Sequence, residues 1–480
     1  MSGDSDGSQS PLRGGEVIDG FRLVDRLHQG GMANLWSVQH PDHAGPLLMK
    51  VPRIKGGEDP ATIVGFEVEQ MILPTLKGVH VPRFIASGDF IARPYIVMEH
   101  IPGESLRPRL DAAPIPIDEV ARIGARVATA LHDLHRQHVI HLDIKPSNIL
   151  FRSTGEAVLV DFGLSRHDHL PDLLDEEFNL PMGTGPYMSP EQVQFVRSEP
   201  RSDLFALGVM LYHLTTGARP FGAPTSVRGL RERLYMEPLP PRLLRPDCPP
   251  WLQEVILRCL EVQADKRHPS AAHLAQDLVN PGQIQLTERA RKTTAGGRLN
   301  RFKRWFSAVG AEVSERPSMA EQLKRAPIVM AAVDVNGATD ELLDLLRETV
   351  RRIVVTEQGA RLACVSVMKT NRIGMDELTD KQGNSLHVKQ LVGLKHWARP
   401  LSQSLGLADG RLTFHVLEAP DAATAILDFS RRTQVDHVVM GARGNSALRR
   451  YLGSVSSEVV AQAECTVTVV RVPGEQGGEG

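Results

Sequence analysis

Apolar and polar residues alternate in four stretches between Phe21 and Met98, and this spacing predicts β-strands. The stretches read FRLVDRL, LWSVQH, PLLMKV and PYIVMEH, and one helical run, TIVGFEVEQMILPTL, separates the third from the fourth. From about Pro116 to Leu278 the apolar spacing becomes helical, most clearly in ARIGARVATALHDLH and SDLFALGVMLYHLTTG. The pattern predicts a small sheet lobe followed by a larger helical lobe.

A different pattern begins after residue 325, where apolar strands alternate with amphipathic helices. The chain there reads PIVMAAVDV, ELLDLLRETVRRIVV and ARLACVSVMK, and near its end DHVVMGARG and TVTVVRVP. Strands separated by helices usually pair in parallel, because each helix carries the chain back across the sheet. This part of the sequence therefore predicts an α/β domain on a parallel sheet.

These patterns divide the 480 residues into five parts, in keeping with the two or three domains expected at this length. Residues 16–280 carry the sheet and helical lobes, and residues 326–473 carry the α/β domain. Residues 281–325 form a basic linker with a helical pattern in part. The polar ends, residues 1–15 and 474–480, are predicted to be disordered.

The linker contains RARKTTAGGRLNRFKRWFSAVG, in which apolar residues recur at helical spacing among basic ones. These residues are Leu299, Phe302, Phe306 and Val309, with Arg298, Arg301, Lys303 and Arg304 around them. One interpretation is an interfacial helix that contacts a membrane through anionic lipid. We favour the other, a helix docked on its own domain with a solvated basic face.

Composition narrows the class of protein. The apolar fraction of 41% and the charged fraction of 23% are typical of a globular protein, and a formal net charge of −2 gives no reason to expect a nucleic-acid partner. The sequence has no run of about 18 apolar residues and no signal-peptide pattern at its start, so we expect a cytoplasmic protein. The four cysteines form no C-x-x-C pair, which indicates buried thiols rather than disulfides or zinc ligands.

The segment HLDIKPSNIL, residues 141–150, places three chemically complementary side chains within six residues. Asp143 is a candidate base for a proton, Lys145 can neutralise a phosphate, and Asn148 can hold a metal ion through its carbonyl oxygen. Phosphoryl transfer needs these functions, because it depends on positioning and charge neutralisation more than on covalent chemistry. The segment therefore indicates a phosphoryl-transfer site.

Other parts of such a site occur in order along the chain. Gly30 and Gly31, in LHQGGMANLW, provide backbone that can close over phosphates. Lys50 ends the strand LLMK, and Glu69 lies on the following helical run, where it can pair with that lysine. Asp161, in DFG, is a second candidate metal ligand.

With these motifs in this order, residues 21 to about 278 resemble a bacterial eukaryotic-like Ser/Thr protein kinase. The resemblance implies an α+β bilobal fold and transfer of the γ-phosphoryl group of Mg-ATP to protein hydroxyls, including the kinase's own. Specificity for Ser and Thr is implied by Lys145 and by Thr184 in GTGPY. Arg267 is expected to pair with Glu191 and to brace the activation segment, and Asp203 matches a further family position.

Small-molecule kinases of the aminoglycoside type would share the base and the metal ligands. They would lack the long segment that ends here in MSPEQ, so we consider that class a poor match.

The resemblance also implies a set of nucleotide contacts: Leu27, Gly30, Gly31, Leu35, Leu48, Lys50, Glu99, Ile101 and Leu150. Three positions depart from the family, because His28 and Ala33 replace glycines of the loop and Leu48 replaces a small Ala beside the adenine ring. The alternative function is therefore a weak pseudokinase that acts as a nucleotide-dependent stress sensor or scaffold. The retained charged groups favour catalysis, since buried charge is costly without a use.

The α/β domain carries a second phosphate-binding pattern. GARG, with Gly441 and Gly444, follows a predicted strand, and YLGSVS brings Gly453, Ser454 and Ser456 to the start of a helix. With Asp334 at the end of the first strand, residues 326–473 resemble a universal stress protein domain of the ATP-binding type. That resemblance implies an α/β parallel-sheet domain, and a homodimer through its last strand.

One departure leaves the function of this second pattern open. The family places nine residues between its last two glycines, whereas here residues 445–452 give eight. The alternative interpretation is that the glycines only permit a tight turn and close helix packing.

Leu142 stands where the kinase resemblance implies an Arg, the group that pairs with a phosphorylated activation segment. That segment, residues 161–191, offers few hydroxyls beyond Ser165 and Thr184, and its middle, HDHLPDLLDEEF, is already acidic. We therefore expect loop phosphorylation to be a poor switch. Control is expected instead from the stress domain, whose ligand, through contact or dimerisation, would bias the helix that carries Glu69.

Overall fold

The computed structural model describes residues 12–29, 33–53, 60–178, 180–294, 326–357, 359–370, 385–407, 410–442 and 453–472. Several predicted features lie outside the described residues. They are Gly30 and Gly31 of the loop, Gly444, the linker helix around residues 299–309, and the ends 1–11 and 474–480.

The first lobe is an antiparallel sheet with one helix, as the alternating pattern predicts. Its strands are β1 Val17–Ile18, β2 Phe21–Gln29, β3 Ala33–His40, β4 His43–Pro52, β5 Phe84–Gly88 and β6 Tyr95–Glu99, and its helix is α1 Pro60–Ile72. The order across the sheet is β1-β2-β3-β4-β6-β5. Leu12 packs against the apolar face of this sheet, so ordered structure begins before the predicted boundary at residue 16.

The second lobe is mainly helical. Its helices are α2 Arg107–Asp111, α3 Ile117–Arg136, α4 Leu173–Glu177, α5 Pro190–Val193, α6 Arg201–Thr216, α7 Val227–Arg231, α8 Pro241–Leu244, α9 Pro250–Cys259, α10 Ala271–Val279 and α11 Glu288–Arg291. Short strands hold the loops at the cleft: β7 Val139–Ile140, β8 Ile149–Phe151, β9 Ala157–Leu159 and β10 Arg166–His167. Helix α6 is buried on nearly every side and forms the centre of the lobe.

The helical lobe extends beyond the predicted boundary at residue 280. The buried carboxylate of Glu254 accepts hydrogen bonds from the backbone N–H groups of Thr287 (3.1 Å) and Ala290 (3.0 Å), and from Arg289 Nε (3.0 Å). A buried charge requires such partners. The start of the predicted linker is therefore part of the lobe, docked on α9.

The C-terminal domain is a parallel five-stranded sheet with helices on its faces. Its strands are β11 Ile328–Ala332, β12 Arg361–Lys369, β13 Leu412–Ala419, β14 His437–Gly441 and β15 Thr466–Val470, and its helices are α12 Asp340–Thr356, α13 Leu386–Leu405, α14 Ala422–Arg432 and α15 Ser454–Gln462. The sheet order is β13-β12-β11-β14-β15, with every pair parallel. The predicted fold class, a bilobal α+β unit followed by a parallel α/β domain, is confirmed.

The cysteines behave as thiols. Cys248, Cys259 and Cys364 are buried as predicted, whereas Cys465 is half-buried. Burial raises the pKa of the Cys259 thiol to about 12, which keeps it protonated and unreactive. In the part of the chain that the structure describes, no helix has the length and apolar character needed to cross a membrane.

Candidate active site

The cleft between the lobes brings together Lys50, Glu69 and Asp161. Lys50 lies on β4, and its Nζ donates to Glu69 Oε2 at 2.5 Å and to Asp161 Oδ1 at 2.8 Å. Glu69 lies on α1, with a side chain only 2% exposed, whereas the side chain of Asp161 is 41% exposed and faces the cleft. The predicted pairing of Lys50 with Glu69 is confirmed.

Electrostatics keep Lys50 and Asp161 charged. Burial alone would lower the pKa of Lys50, but the carboxylates of Asp161 and Glu69 outweigh burial and raise it. The ammonium of Lys50 in turn lowers the pKa of Asp161 to about 2. Burial raises the pKa of Glu69 even though Lys50 opposes this. Asp161 is therefore the carboxylate best suited to meet a cation.

Helix α1 is held against the DFG segment by a close backbone approach. A Cβ placed on Gly65 would lie 3.0 Å from the carbonyl oxygen of Gly163, and the Phe162 N–H donates to Glu69 Oε1 at 3.3 Å. Contact this tight between two backbones requires glycine. The position of α1 and the position of Asp161 are consequently coupled.

Three side chains surround the carboxylate of Asp143 in the catalytic loop, residues 141–150. Its Oδ1 accepts from Thr184 Oγ1 at 2.7 Å and from the Thr184 N–H at 3.1 Å. Its Oδ2 accepts from Lys145 Nζ at 2.5 Å and from Asn148 Nδ2 at 3.2 Å. The carboxylate is held in one orientation while its loop borders a cleft cavity of about 180 Å³.

A buried aspartate, Asp203 on α6, fixes the backbone of this loop. Its Oδ2 accepts from the His141 N–H and its Oδ1 from the Leu142 N–H, both at 2.9 Å, and His135 Nε2 lies 2.9 Å from Oδ2. Leu142 itself is buried and adopts φ = +61°, a left-handed conformation that a non-glycine residue needs outside support to keep. Asp203 provides that support.

The activation segment is braced at its end by a buried ion pair. Arg267 Nη2 donates to Glu191 Oε1 at 2.7 Å and to Oε2 at 3.0 Å, and the guanidinium is fully buried. The predicted pairing of these residues is confirmed.

Sequence reasoning missed two further braces of this segment. Gln192 Nε2 donates to the carbonyl oxygens of Leu142 (2.7 Å) and Met182 (3.0 Å), and Arg197 Nε donates to Asp172 at 2.8 Å. The position of Gln192 directly after Glu191, in the segment MSPEQ, was the available signal.

The predicted adenine-side residues lie on strands β2, β3, β4 and β8, or shortly after β6. Leu35 pairs with Lys50 and Leu48 pairs with Met98 in the register of the sheet. The other apolar positions differ in exposure: Ile101 is buried, Leu150 is half-buried and Leu27 is 45% exposed.

The side chain of Glu99, a predicted nucleotide contact, is bound to another residue. Its carboxylate forms a bidentate pair with Arg152, at 2.5 Å and 3.0 Å, and the hydrogen bond from Arg152 lowers its pKa. The side chain is therefore committed to a structural ion pair, and only the main chain of Glu99 remains for a nucleotide.

The α/β domain contains a larger cavity, of about 520 Å³, at the carboxyl ends of its strands. Five of the predicted residues line it: Asp334, Gly441, Gly453, Ser454 and Ser456. Gly453 is the N-cap of α15, and the first N–H groups of a helix have no partners within the helix, so anions bind well there. Ser456 is buried and donates to the Gly453 carbonyl oxygen at 3.1 Å, so its hydroxyl supports the helix start.

Comparisons with known proteins agree with this geometry. A family model described as Protein kinase domain matches residues 26–279, more than half of the chain, and one described as Universal stress protein family matches residues 327–471. The serine/threonine-protein kinase Pkn1 of Myxococcus xanthus is 31% identical over 300 residues, which cover 60% of this chain and 42% of that protein. PksC, a serine/threonine-protein kinase of Streptomyces coelicolor, is 29% identical over 284 residues, with coverages of 57% and 51%.

The chain spans about half or less of the length of the curated relatives it matches. Among solved structures, the kinase domain of Mycobacterium tuberculosis PknI is 24% identical with a TM-score of 0.44, and the match covers 56% of this chain and 99% of that domain. On the two family matches, the chain belongs to the protein kinase family, with a C-terminal domain of the universal stress protein family.

Proposed function

We propose that this chain is a Ser/Thr protein kinase that transfers the γ-phosphoryl group of ATP to protein hydroxyls, its own included. The observation that supports the proposal most directly is the arrangement around Asp143, whose two oxygens accept from Thr184, Lys145 and Asn148. Asp143 orients the substrate hydroxyl and accepts its proton. Lys145 and Lys50 neutralise phosphate oxygens.

Asn148 and Asp161 offer the amide and carboxylate oxygens that Mg²⁺ prefers, and the low pKa of Asp161 keeps its carboxylate charged. The residues present therefore fit a divalent cation. When bound by Asn148 and Asp161, Mg²⁺ would supply charge neutralisation at the phosphates. The amide nitrogen of Asn148 donates to Asp143, so this residue joins the base to the metal side of the site.

The alternative, a non-catalytic sensor, agrees less well with these contacts. A pseudokinase needs neither an oriented base nor a charged Asp161, yet both are held in place here by partly buried partners. Purified chain incubated with labelled Mg-ATP and a generic protein substrate is expected to incorporate phosphate. Asp143→Asn should abolish incorporation, whereas Asp168→Asn, an exposed aspartate of the same activation segment, should not. Equal labelling by the Asp143→Asn variant would reject the proposal.

ATP affinity is expected to be low, because Leu48 replaces a small residue beside the adenine position and the loop lacks two glycines. Leu48 is half-buried and packs against the main apolar cluster, so Leu48→Ala opens space at modest cost to stability. The variant should lower the KM for ATP in initial-rate assays. Leu48→Ile, which keeps the volume, serves as the control. An ordinary low KM in the wild type, unchanged by Leu48→Ala, would contradict this expectation.

We further propose that the stress domain binds a nucleotide in its 520 Å³ cavity, with phosphates at the start of α15. Calorimetric titration with Mg-ATP is then expected to give two sites per chain. Asp334→Ala should remove one site, and Asp428→Ala, an exposed aspartate of the same domain, should remove none. One site in the wild type would show that the cavity serves packing alone.

A homodimer through the stress domain is also part of the proposal. Strand β15 lies at an edge of the described sheet, and its residues Thr466–Val469 are only partly covered. Uncovered edge strands offer backbone groups for pairing with a second copy. Light scattering at micromolar concentration should give twice the chain mass of 52.8 kDa. A mass equal to one chain would count against the dimer.

A further inference from the structure

The activation segment has no free Ser or Thr hydroxyl among its described residues. Ser165 is buried and donates to the His141 carbonyl oxygen at 3.0 Å, Thr184 is bound to Asp143, and the buried Ser189 caps α5. Leu142, where an Arg would bind a phosphate, is itself buried. Among its described residues, the segment therefore offers phosphorylation no free Ser or Thr acceptor, and position 142 has no arginine to bind a phosphate, so other contacts order the segment.

The stress domain supplies one of these contacts, through an arginine. Arg361, the first residue of β12, places Nη1 2.6 Å from Glu176 Oε1 and Nη2 2.6 Å from Oε2, and both side chains are 12% exposed. Glu176 lies on α4, in the middle of the activation segment. A bidentate pair between guanidinium and an anion, shielded from solvent, has the geometry that an arginine gives to a phosphorylated loop.

Neighbouring residues also connect the activation segment to the stress domain. His415 on β13 is fully buried, and its Nδ1 lies 3.1 Å from Oε1 of Glu177, which is 3% exposed. Burial raises the pKa of Glu177 and lowers that of His415, so both directions favour a neutral hydrogen-bonded pair. The segment is thus held by one charged and one neutral contact from the stress domain.

A second ion pair connects the stress domain to helix α1. Lys395 on α13 places its Nζ 2.5 Å from Glu67 Oε1, and both side chains are nearly buried. The same Nζ lies 5.2 Å from the ring centroids of Phe90, in the kinase, and Phe414, on β13. Cation–π contact from both domains adds to the ion pair.

The positions of Glu67 and Glu69 on helix α1 connect the contact with Lys395 to the active site. Successive residues of an α-helix are turned by roughly 100°, so Glu67 and Glu69 point to nearly opposite sides. Glu69 reaches Lys50 in the cleft, while Glu67 reaches Lys395 in the stress domain. The helix is therefore held between the catalytic lysine and the stress domain.

We propose that the stress domain is a built-in activator of the kinase, and that Arg361 and Lys395 are positioning residues that hold the activation segment and helix α1 in the catalytic arrangement. The inference rests on the proposed kinase function. In the structure that contains both contacts, Lys50 is paired with Glu69 and Asp143 is bound to Thr184. The contacts between the domains and the catalytic arrangement of these residues are therefore present in the same structure.

The test uses the full chain with paired substitutions. Arg361→Gln and Lys395→Met should each lower kcat at least about fivefold, in the range typical of coupling between sites. The matched controls are Arg352→Gln, which is 74% exposed on α12, and Lys389→Met, which is exposed on α13, and both should match the wild type. Lys395→Arg keeps the charge and should retain most of the activity. Phosphatase treatment of the wild type should change turnover little.

A double-mutant cycle identifies the partner. Glu67→Gln should lower kcat as Lys395→Met does, and the double variant should be no lower than either single one, because both remove the same contact. Fully additive losses would show that the two residues act separately and would reject the positioning role of Lys395.

Hydrogen exchange separates this inference from the proposed function. Amides of residues 60–72 and 173–177 should exchange faster in Arg361→Gln and Lys395→Met than in the controls. If the wild type transfers no phosphate, the kinase proposal fails, and the exchange rates still decide whether these residues hold the two elements. Unchanged turnover and unchanged exchange would overturn the inference, and so would a rise in turnover, since the contact would then be inhibitory.

Discussion

Asp161→Asn and Lys50→Met are each expected to reduce phosphoryl transfer to background while the chain remains folded. Asp161 is the carboxylate whose pKa falls to about 2 beside Lys50, so it is fully charged at neutral pH and can hold a cation at the phosphates. Lys50 Nζ donates to Asp161 at 2.8 Å, so its positive charge is expected at the same phosphates. Groups aimed at charge that develops in the transition state typically contribute about a hundredfold to a thousandfold each.

Folding should survive both changes for a specific reason. Lys50→Met leaves the buried carboxylate of Glu69 without its cation, but burial already raises the pKa of Glu69, so the group can take up a proton and remain neutral. Asp161 is 41% exposed, so an amide there can bind water. Labelled-ATP assays and far-UV spectra on the same preparations check both points, with Asp168→Asn as the control. Wild-type turnover in Asp161→Asn would show that the metal site is wrongly assigned.

Much of the fold could be predicted from the sequence because many of its elements bury one face. Strands such as β3 and β4 alternate in burial, and α3 places its apolar side chains on a single face, so the periods of two and 3.6 residues appear in the sequence. The residues of the catalytic loop could also be predicted from the sequence, since Asp143, Lys145 and Asn148 lie close together in the chain. The pairing of Lys50 with Asp161, 111 residues away, was not predicted, because no local pattern links the two positions.

The contacts between the domains were not predictable in this way. Strand β13 was not identified because Thr413 and His415, polar residues at inward positions, interrupt its apolar alternation. Both are buried, 4% and 0% exposed, at the junction where α4 packs against β13. Apolar alternation along a strand indicates which residues face the core of their own domain. It does not indicate which polar residues are buried by contact with a second domain.

The docked start of the linker has the same explanation. Glu254 lies among apolar residues of α9 and is 2% exposed. In the sequence it is a charged residue that interrupts the apolar pattern of the helix. Its partners are the backbone N–H groups of Thr287 and Ala290 and the side chains of Thr287 and Arg289, and the two backbone groups carry no side-chain signal. A buried acid on an apolar helix face was the only available indication that another segment would cover it.

The second large effect is expected from Arg267→Met, and it concerns stability as well as activity. Arg267 is 1% exposed, and besides Glu191 its guanidinium donates to the carbonyl oxygens of Glu261 (2.8 Å), Arg201 (2.9 Å) and Val262 (3.1 Å). Removing one member of a buried ion pair leaves the other charge without a partner, which costs about 3–5 kcal/mol. The free energy of unfolding of the kinase lobes should fall by that amount in urea titrations.

Arg109→Met is the matched control, because Arg109 is 63% exposed and pairs with Glu119 across 3.4 Å at the surface. Exposed pairs contribute about 0–1 kcal/mol, so this variant should unfold almost as the wild type does. Arg267→Met should also lower turnover, since Glu191 ends the activation segment and Ser202 Oγ contacts its Oε2 only weakly, at 3.4 Å. Equal unfolding free energies for the two variants would mean that the carbonyl oxygens and Glu191 find other partners, and that the activation segment does not depend on this pair.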